Sequence, residues 1–240
     1  MKKMIMTIAV AICCLAAIAL AETTVVGFDG GDDENFTGNA YFEASDGNPG
    51  GAARHLGEFF FNELRTGGLG EPVNEAFIRD YSMYSSVTFS FDIKTNSLTD
   101  YMGNQILRSV GIALKDRDNE GPSGPAGVFF ELGYVGTSVN PDWTTYSVTI
   151  DDPMSVVLPD GWIGFGDEDP DTYMPILPEG VTFADVLAGV DEFQITGAVP
   201  GYFYGYANFD VQIDNITVTV DEGSVRTETH SLSSVKAQFK

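Results

Sequence analysis

Apolar and polar residues alternate along residues 87–94: Val87, Phe89, Phe91 and Ile93 fall on one side, and Thr88, Ser90, Asp92 and Lys94 on the other. A period of two sends one face of a strand into a core and leaves the other wet. Residues 145–150 alternate likewise through Tyr146, Val148 and Ile150. Residues 211–220 do so through Val211, Ile213, Ile216, Val218 and Val220, with a change of phase at Asp214-Asn215 that predicts a β-bulge. β-rich runs at 24–28, 40–43, 110–114, 128–134 and 192–196 predict further strands. Helical signal is confined to 182–188, where Thr182 can cap and Asp185 follows three residues later, enough for about two turns. Connectors dense in Gly and Pro, at 66–72, 120–127 and 159–178, supply the turns. No repeat of fixed period occurs. The pattern predicts an all-β antiparallel sandwich with one short helix, as a single domain over residues 22–222.

The ends differ from this body. Lys2 and Lys3 precede an apolar run over residues 5–20 that closes in Ala19-Leu20-Ala21, a small-x-small cleavage site. Residues 1–21 therefore read as a signal peptide. The run falls short of the ~20 apolar residues a spanning helix needs, and no later stretch approaches that length. Cys13 and Cys14 are the chain's two cysteines. Neither follows a small residue, so lipidation is not expected, and the mature chain has no thiol for a disulfide or a metal. From Val225 onward Arg226, Lys236 and Lys240 face Glu228 alone, so residues 223–240 read as a tail. Leu232, Val235 and Phe239 lie on one face of a short helix that needs a surface to dock on.

Charge narrows the function. The chain carries 12 Lys and Arg against 35 Asp and Glu, a net −23 that becomes −25 without Lys2 and Lys3. A phosphate-tracking surface needs clustered cations, so nucleic acid is excluded as a partner. Two histidines, His55 and His230, cannot build a His-rich metal site, and G-x-S-x-G is absent. A carboxylate pair for glycoside hydrolysis needs only the right separation, which 35 acids supply by chance. Three acidic loops offer oxygens for calcium: residues 28–36 with Asp46-Gly47-Asn48 behind them, residues 116–121, and residues 166–171. Taken singly, each reads first as a solvated hairpin tip, since charge runs usually face water. The second opens like an EF-hand loop but has Gly127 where the bidentate Glu belongs. Tyr202, Phe203, Tyr204 and Tyr206 crowd one segment, and Trp143, Trp162 and Phe165 sit in or beside loops. Such rings stack on sugars or close the core, and Trp143 and Phe203 are expected to cap the core ends.

Residues 28–51 (FDGGDDENFTGNAYFEASDGNPGG), 77–95, 142–150 and 209–218, in that order, resemble the jelly-roll modules of exported bacterial proteins. Those modules are similar to laminin B-type domains and to calcium-binding carbohydrate-binding modules. The resemblance implies a jelly-roll β-sandwich with a structural calcium between the first acidic loop and the last strand, which falls on Asp29 and Asp214, with Asp46 beside them. Many such proteins end in a Pro-Glu-Pro sorting signal; this chain carries none, so that mode of attachment is not expected. The expectation is an exported, non-catalytic module binding an extracellular polysaccharide, or another cell-surface or matrix component. Its ligand residues would be Trp162, Tyr202, Tyr204 and Tyr206, and its Ca2+ ligands Asp29, Asp46 and Asp214. The alternatives are a structural or adhesive matrix protein without a small ligand, and a glycoside hydrolase using a carboxylate pair.

Overall fold

A computed structural model describes residues 21–58, 63–203 and 205–222. Most of the expected signal peptide, the tail and Tyr204 lie outside the described residues. Fourteen strands form among the described residues: β1 (Ala21–Val26), β2 (Thr37–Gly38), β3 (Tyr41–Glu43), β4 (Ala52–Glu58), β5 (Glu63–Gly67), β6 (Ser86–Thr99), β7 (Arg108–Gly121), β8 (Gly124–Val135), β9 (Thr144–Ile150), β10 (Trp162–Phe165), β11 (Asp167–Glu168), β12 (Pro175–Ile176), β13 (Glu192–Thr196) and β14 (Asn208–Asp221). One helix, α1 (Phe183–Ala188), starts at a capping box in which Thr182 and Asp185 exchange hydrogen bonds, as the sequence predicts. No helix among the described residues is long and apolar enough to cross a membrane.

Two antiparallel six-stranded sheets make a jelly-roll sandwich. The first sheet runs β3-β4-β14-β6-β9, with β1 also on β14; the second runs β10-β8-β7-β13-β5-β2. The alternating residues of β6 and β14 point inward and meet Val110, Ile112 and Leu114 of β7 and Phe193 and Ile195 of β13. A string of rings fills the gap: Phe28 on Phe36 (5.9 Å), Phe36 on Phe77 (5.4 Å), Phe77 on Phe193 (5.1 Å), Phe193 on Phe89 (5.4 Å) and Phe89 on Tyr81 (5.5 Å). The Tyr81 hydroxyl, buried with its ring, donates to the Phe77 carbonyl at 2.8 Å.

One edge of β14 is shared: β4 pairs with residues 208–213 and β1 with residues 216–221. The break falls at the phase change at Asp214-Asn215, where the register against β6 shifts and Asn215 adopts φ 49. The predicted bulge is there, and it separates the two partners of β14. Residues 116–121 belong to the β7–β8 hairpin, with a register shift between Asp116 and Glu120. Asp116 is buried and spends its carboxylate on Asp118 N (2.9 Å), Asn119 N (3.2 Å) and Asn119 Nδ2 (2.6 Å).

Candidate functional site

On β13 Phe193 and Ile195 enter the core, so Glu192, Gln194 and Thr196 face the other side of the second sheet. The same alternation turns Ala113 and Lys115 outward on β7 and Phe129 on β8. This outer face is covered. Ala113, Phe129 and Val199 form a small second core, with Ile163 and Phe165 packed against it. Two loops, residues 166–176 and 197–203, meet above it where Gly201 lies on Pro175. A Cβ on Gly201, whose φ is 79, would stand 2.7 Å from Pro175 Cδ, so this approach needs glycine.

Between loops and sheet lies a groove of about 290 Å³. Lys115, Gln194 and Thr196 give it polar groups from the sheet, Phe129, Phe165, Pro175 and Pro200 apolar surface, and Ser123, Asp167 and Glu168 a polar edge. Beside it Glu192, 1% exposed, accepts from Lys115 Nζ (2.8 Å), Arg117 Nε (2.9 Å), the Arg117 terminal nitrogen and Gln194 Nε2 (2.5 Å). Burial pushes the Glu192 carboxyl up, but the bonds and charges of Lys115 and Arg117 outweigh it and hold the group below the usual carboxylate range.

The two loops carry exposed rings, with Tyr173 75%, Tyr202 61% and Phe203 84% exposed. The third acidic loop serves this presentation. The Asp169 carboxylate accepts Thr172 N (2.8 Å), Thr172 Oγ1 (2.8 Å) and Asp171 N (3.0 Å), and these bonds pull its pKa down. Asp169 is thus spent on its own turn, which carries Tyr173 outward. Amide, hydroxyl and ammonium groups beside the apolar surface of Phe129 and Phe165, with exposed rings on the same two loops, suit a ligand with many hydroxyls and apolar ring faces.

A second constellation gathers at the bulge of β14. Asp214 is fully buried and accepts the backbone N–H of Asn48 and of Asn215, the latter at 2.6 Å. Oxygens crowd the glycines of the facing loop. A Cβ on Gly47 would stand 1.6 Å from Gly51 O and 2.8 Å from Asp214 Oδ2. One on Gly51 would stand 1.9 Å from Phe28 O and 2.8 Å from Glu43 O, and one on Gly50 1.9 Å from Asp29 Oδ1. Phe28 holds a left-handed φ of 54, which costs about 1 kcal/mol for a non-glycine residue and is fixed by its buried ring. Burial raises the Asp214 carboxyl above its ordinary range, and the charges of Asp92 and Asp29 add to this against the two hydrogen bonds.

Carbonyls of Phe28, Glu43 and Gly51 and carboxylates of Asp29 and Asp214 thus line this glycine loop, hard oxygens of the kind calcium takes. Among the described residues no three His, Cys, Asp or Glu side chains converge on a metal, so an ion here would draw mainly on carbonyls.

Asp29 and Asp214 are thus brought together. Asp46 is not: its side chain is exposed, and it is its carbonyl that takes part, accepting Gln212 Nε2 at 3.2 Å. The carboxylate beside Asp214 is instead Asp92, buried on β6, which accepts Asn48 Nδ2 (3.0 Å), Asn215 Nδ2 (2.9 Å) and Thr145 Oγ1 (2.5 Å). Alternation alone marks Asp92 as solvent-facing, and nothing in the sequence marks the loop that covers it.

Among the rings, Tyr202 is exposed next to Gly201, which lines the groove, and Tyr204 lies outside the described residues. Tyr206 is half-buried and does not line the groove. Trp162 is corrected from ligand face to core: it is 8% exposed, 5.3 Å from Phe130 and 5.4 Å from Phe183, because β10 turns it inward. Trp143 and Phe203 are corrected the other way. Trp143 is half-buried over the first sheet and Phe203 is exposed, so neither caps the core. The polar row Glu192, Gln194 and Thr196 was readable as the second face of a short strand.

No protein-family model and no curated protein matches the chain. Solved structures do. The chain is similar to an exo-β-agarase (14% identity, TM-score 0.45, 80% of this chain and 25% of that one). It is similar to the C-terminal family 22 carbohydrate-binding module of Clostridium thermocellum Xyn10B (10% identity, TM-score 0.40, 84% and 95%). It is also similar to the L4b domain of human laminin alpha-2 (15% identity, TM-score 0.36, 69% and 90%). It spans about a quarter of the agarase's length. The chemistry of the site rests on this chain's own residues.

Proposed function

We propose that the protein is an exported, non-catalytic module that binds an extracellular polysaccharide in the groove of the second sheet, with calcium as a structural ion. The groove carries this reading: hydrogen-bonding groups of Lys115, Gln194 and Thr196 lie in it, and the two loops that help to line it also carry the exposed rings Tyr173 and Tyr202. Hydroxyls of a sugar meet the first set, and its apolar faces stack on the second. The oxygen set around Asp29 and Asp214 supports calcium, and the apolar run after Lys2 and Lys3 supports export. A pull-down across insoluble polysaccharides, backed by a glycan array, tests the reading. Retention on at least one polysaccharide, weakened at least tenfold by Tyr202→Ala or Tyr173→Ala with unchanged melting, is expected. No retention on any of them would overturn it, as would turnover of the bound glycan.

A structural or adhesive role is favoured by one observation, the exposed Met154, Val156 and Val157 on the loop between β9 and β10. That reading predicts self-association that grows with concentration in sedimentation.

A further inference from the structure

A separate groove of about 510 Å³ opens on the opposite face of the sandwich, on the outer side of the first sheet. Here β4, β14 and β6 turn Arg54, Asp210, Gln212, Lys94 and Asn96 outward, with Trp143, just before β9, also in the lining. Asp46 and Gly47 of the loop held by Asp214 complete it.

Most polar groups in this groove are spent on one another. Arg54 donates through Nε and Nη2 to Asp210, both at 2.8 Å, and through Nη1 to Glu43 at 3.3 Å. Asn96 Nδ2 donates to Asp210 Oδ1 (3.2 Å) and Gln212 Oε1 (3.0 Å), and Gln212 donates on to the Asp46 carbonyl. The network fixes side chains that would otherwise wander, which is what a preformed site needs.

Two donors are left over. Among the described residues the ammonium of the half-buried Lys94 makes no hydrogen bond and no ion pair, and acts on Asp210 by charge alone. The Trp143 indole N–H has no hydrogen-bond partner among them either. In a chain with 35 acids against 12 cations, an ammonium in hydrogen-bond contact with no carboxylate is conspicuous, since Arg54, Arg65, Arg79, Lys115 and Arg117 each touch one.

We infer that this groove is a second glycan site, selective for sugars bearing a carboxylate or sulfate. The anionic group pairs with Lys94, the sugar's apolar face lies on Trp143, and its hydroxyls meet the amides of Asn96 and Gln212. A charge-assisted bond is about twice as strong as a neutral one, so the anion sets the preference. The site shares no lining residue with the groove of the second sheet and does not depend on it.

Calorimetric titration of the full chain with an oligogalacturonate, a sulfated galactan oligosaccharide and a neutral cello-oligosaccharide tests this. At least one acidic probe is expected to bind more tightly than the neutral one, and which one does separates carboxylate from sulfate. Lys94→Met keeps the aliphatic stem and is expected to weaken the acidic probe about tenfold at unchanged melting temperature. Trp143→Ala should weaken it as well, and Tyr202→Ala should leave it untouched. The inference is overturned if neither acidic probe binds at millimolar concentration, if Lys94→Met binds like the parent, or if the loss follows Tyr202→Ala instead. Should Trp143→Ala fail to fold, Lys94→Met decides alone.

Discussion

Trp162 and Tyr202 are both aromatic residues in Gly-rich surroundings, and they have opposite fates. Trp162 begins a short strand whose inward face meets Phe130 and Phe183. Removing its ring leaves a cavity between the sheets, so Trp162→Ala is expected to cost about 3–5 kcal/mol in urea unfolding. Tyr202→Ala removes an exposed ring and should stay within about 0.5 kcal/mol. Equal losses would erase the distinction drawn between them. Gly47 makes the same point with one atom: its missing Cβ would stand 1.6 Å from Gly51 O. Gly47→Ala is therefore expected to cost about 1–3 kcal/mol by overpacking, read from the same unfolding curves.

The bulge in β14 is the element that makes the oxygen cluster. Without the extra residue one partner strand would run the whole edge, and Asp214 would lie in a regular ladder rather than between the ends of β1 and β4. The short strand β13 has another logic. All five of its residues are buried, so its polar face is covered as fully as its apolar one. A carboxylate in that position needs partners, and Lys115 and Arg117 supply them. Glu192→Gln is expected to lose about 3 kcal/mol, the low end for a broken buried pair because the two cations are partly exposed. At α1 the capping box predicts that Thr182→Ala loses about 1 kcal/mol.

For the whole molecule, acid should act in two stages. His55 is buried, its Nδ1 donates to the Asn39 carbonyl, and burial holds its pKa below the ordinary 6.5. The unfolded chain therefore binds this proton more readily, and stability present above pH 6.5 is lost as pH falls through the folded value. Glu192 is also depressed, so its contribution is complete above the ordinary carboxyl value of 4.5 and is lost below it as pH falls through the folded pKa. Melting temperature followed from pH 7 to 3 should drop in both windows, and Glu192→Gln should flatten the lower one. Calcium should act in the other direction, adding about 2.7 kcal/mol at a hundredfold excess over Kd. Melting with calcium against chelator reads this, and Asp214→Asn should abolish the difference.

Local alternation decides which side of a strand is apolar, and that much was legible. The inward residues of β6, β9 and β14, the bulge at Asp214-Asn215 and the Thr182 cap could all be read from spacing, because each depends on neighbours within a few residues. β4, β5 and β10 escaped this reading: Ala52–Glu58 and Trp162–Phe165 show no clean period, as one buries a histidine inward and the other carries apolar residues on both faces. What lies over a sheet's outer face is set by loops distant in sequence. Only the tertiary structure could bury Asp92 under residues 48–51, lay residues 197–203 over β13, or bring Trp143 beside Lys94. Polar residues at alternate positions look the same in a sequence whether water or another part of the chain covers them, so a groove is decided by long-range closure and not by the strand that floors it.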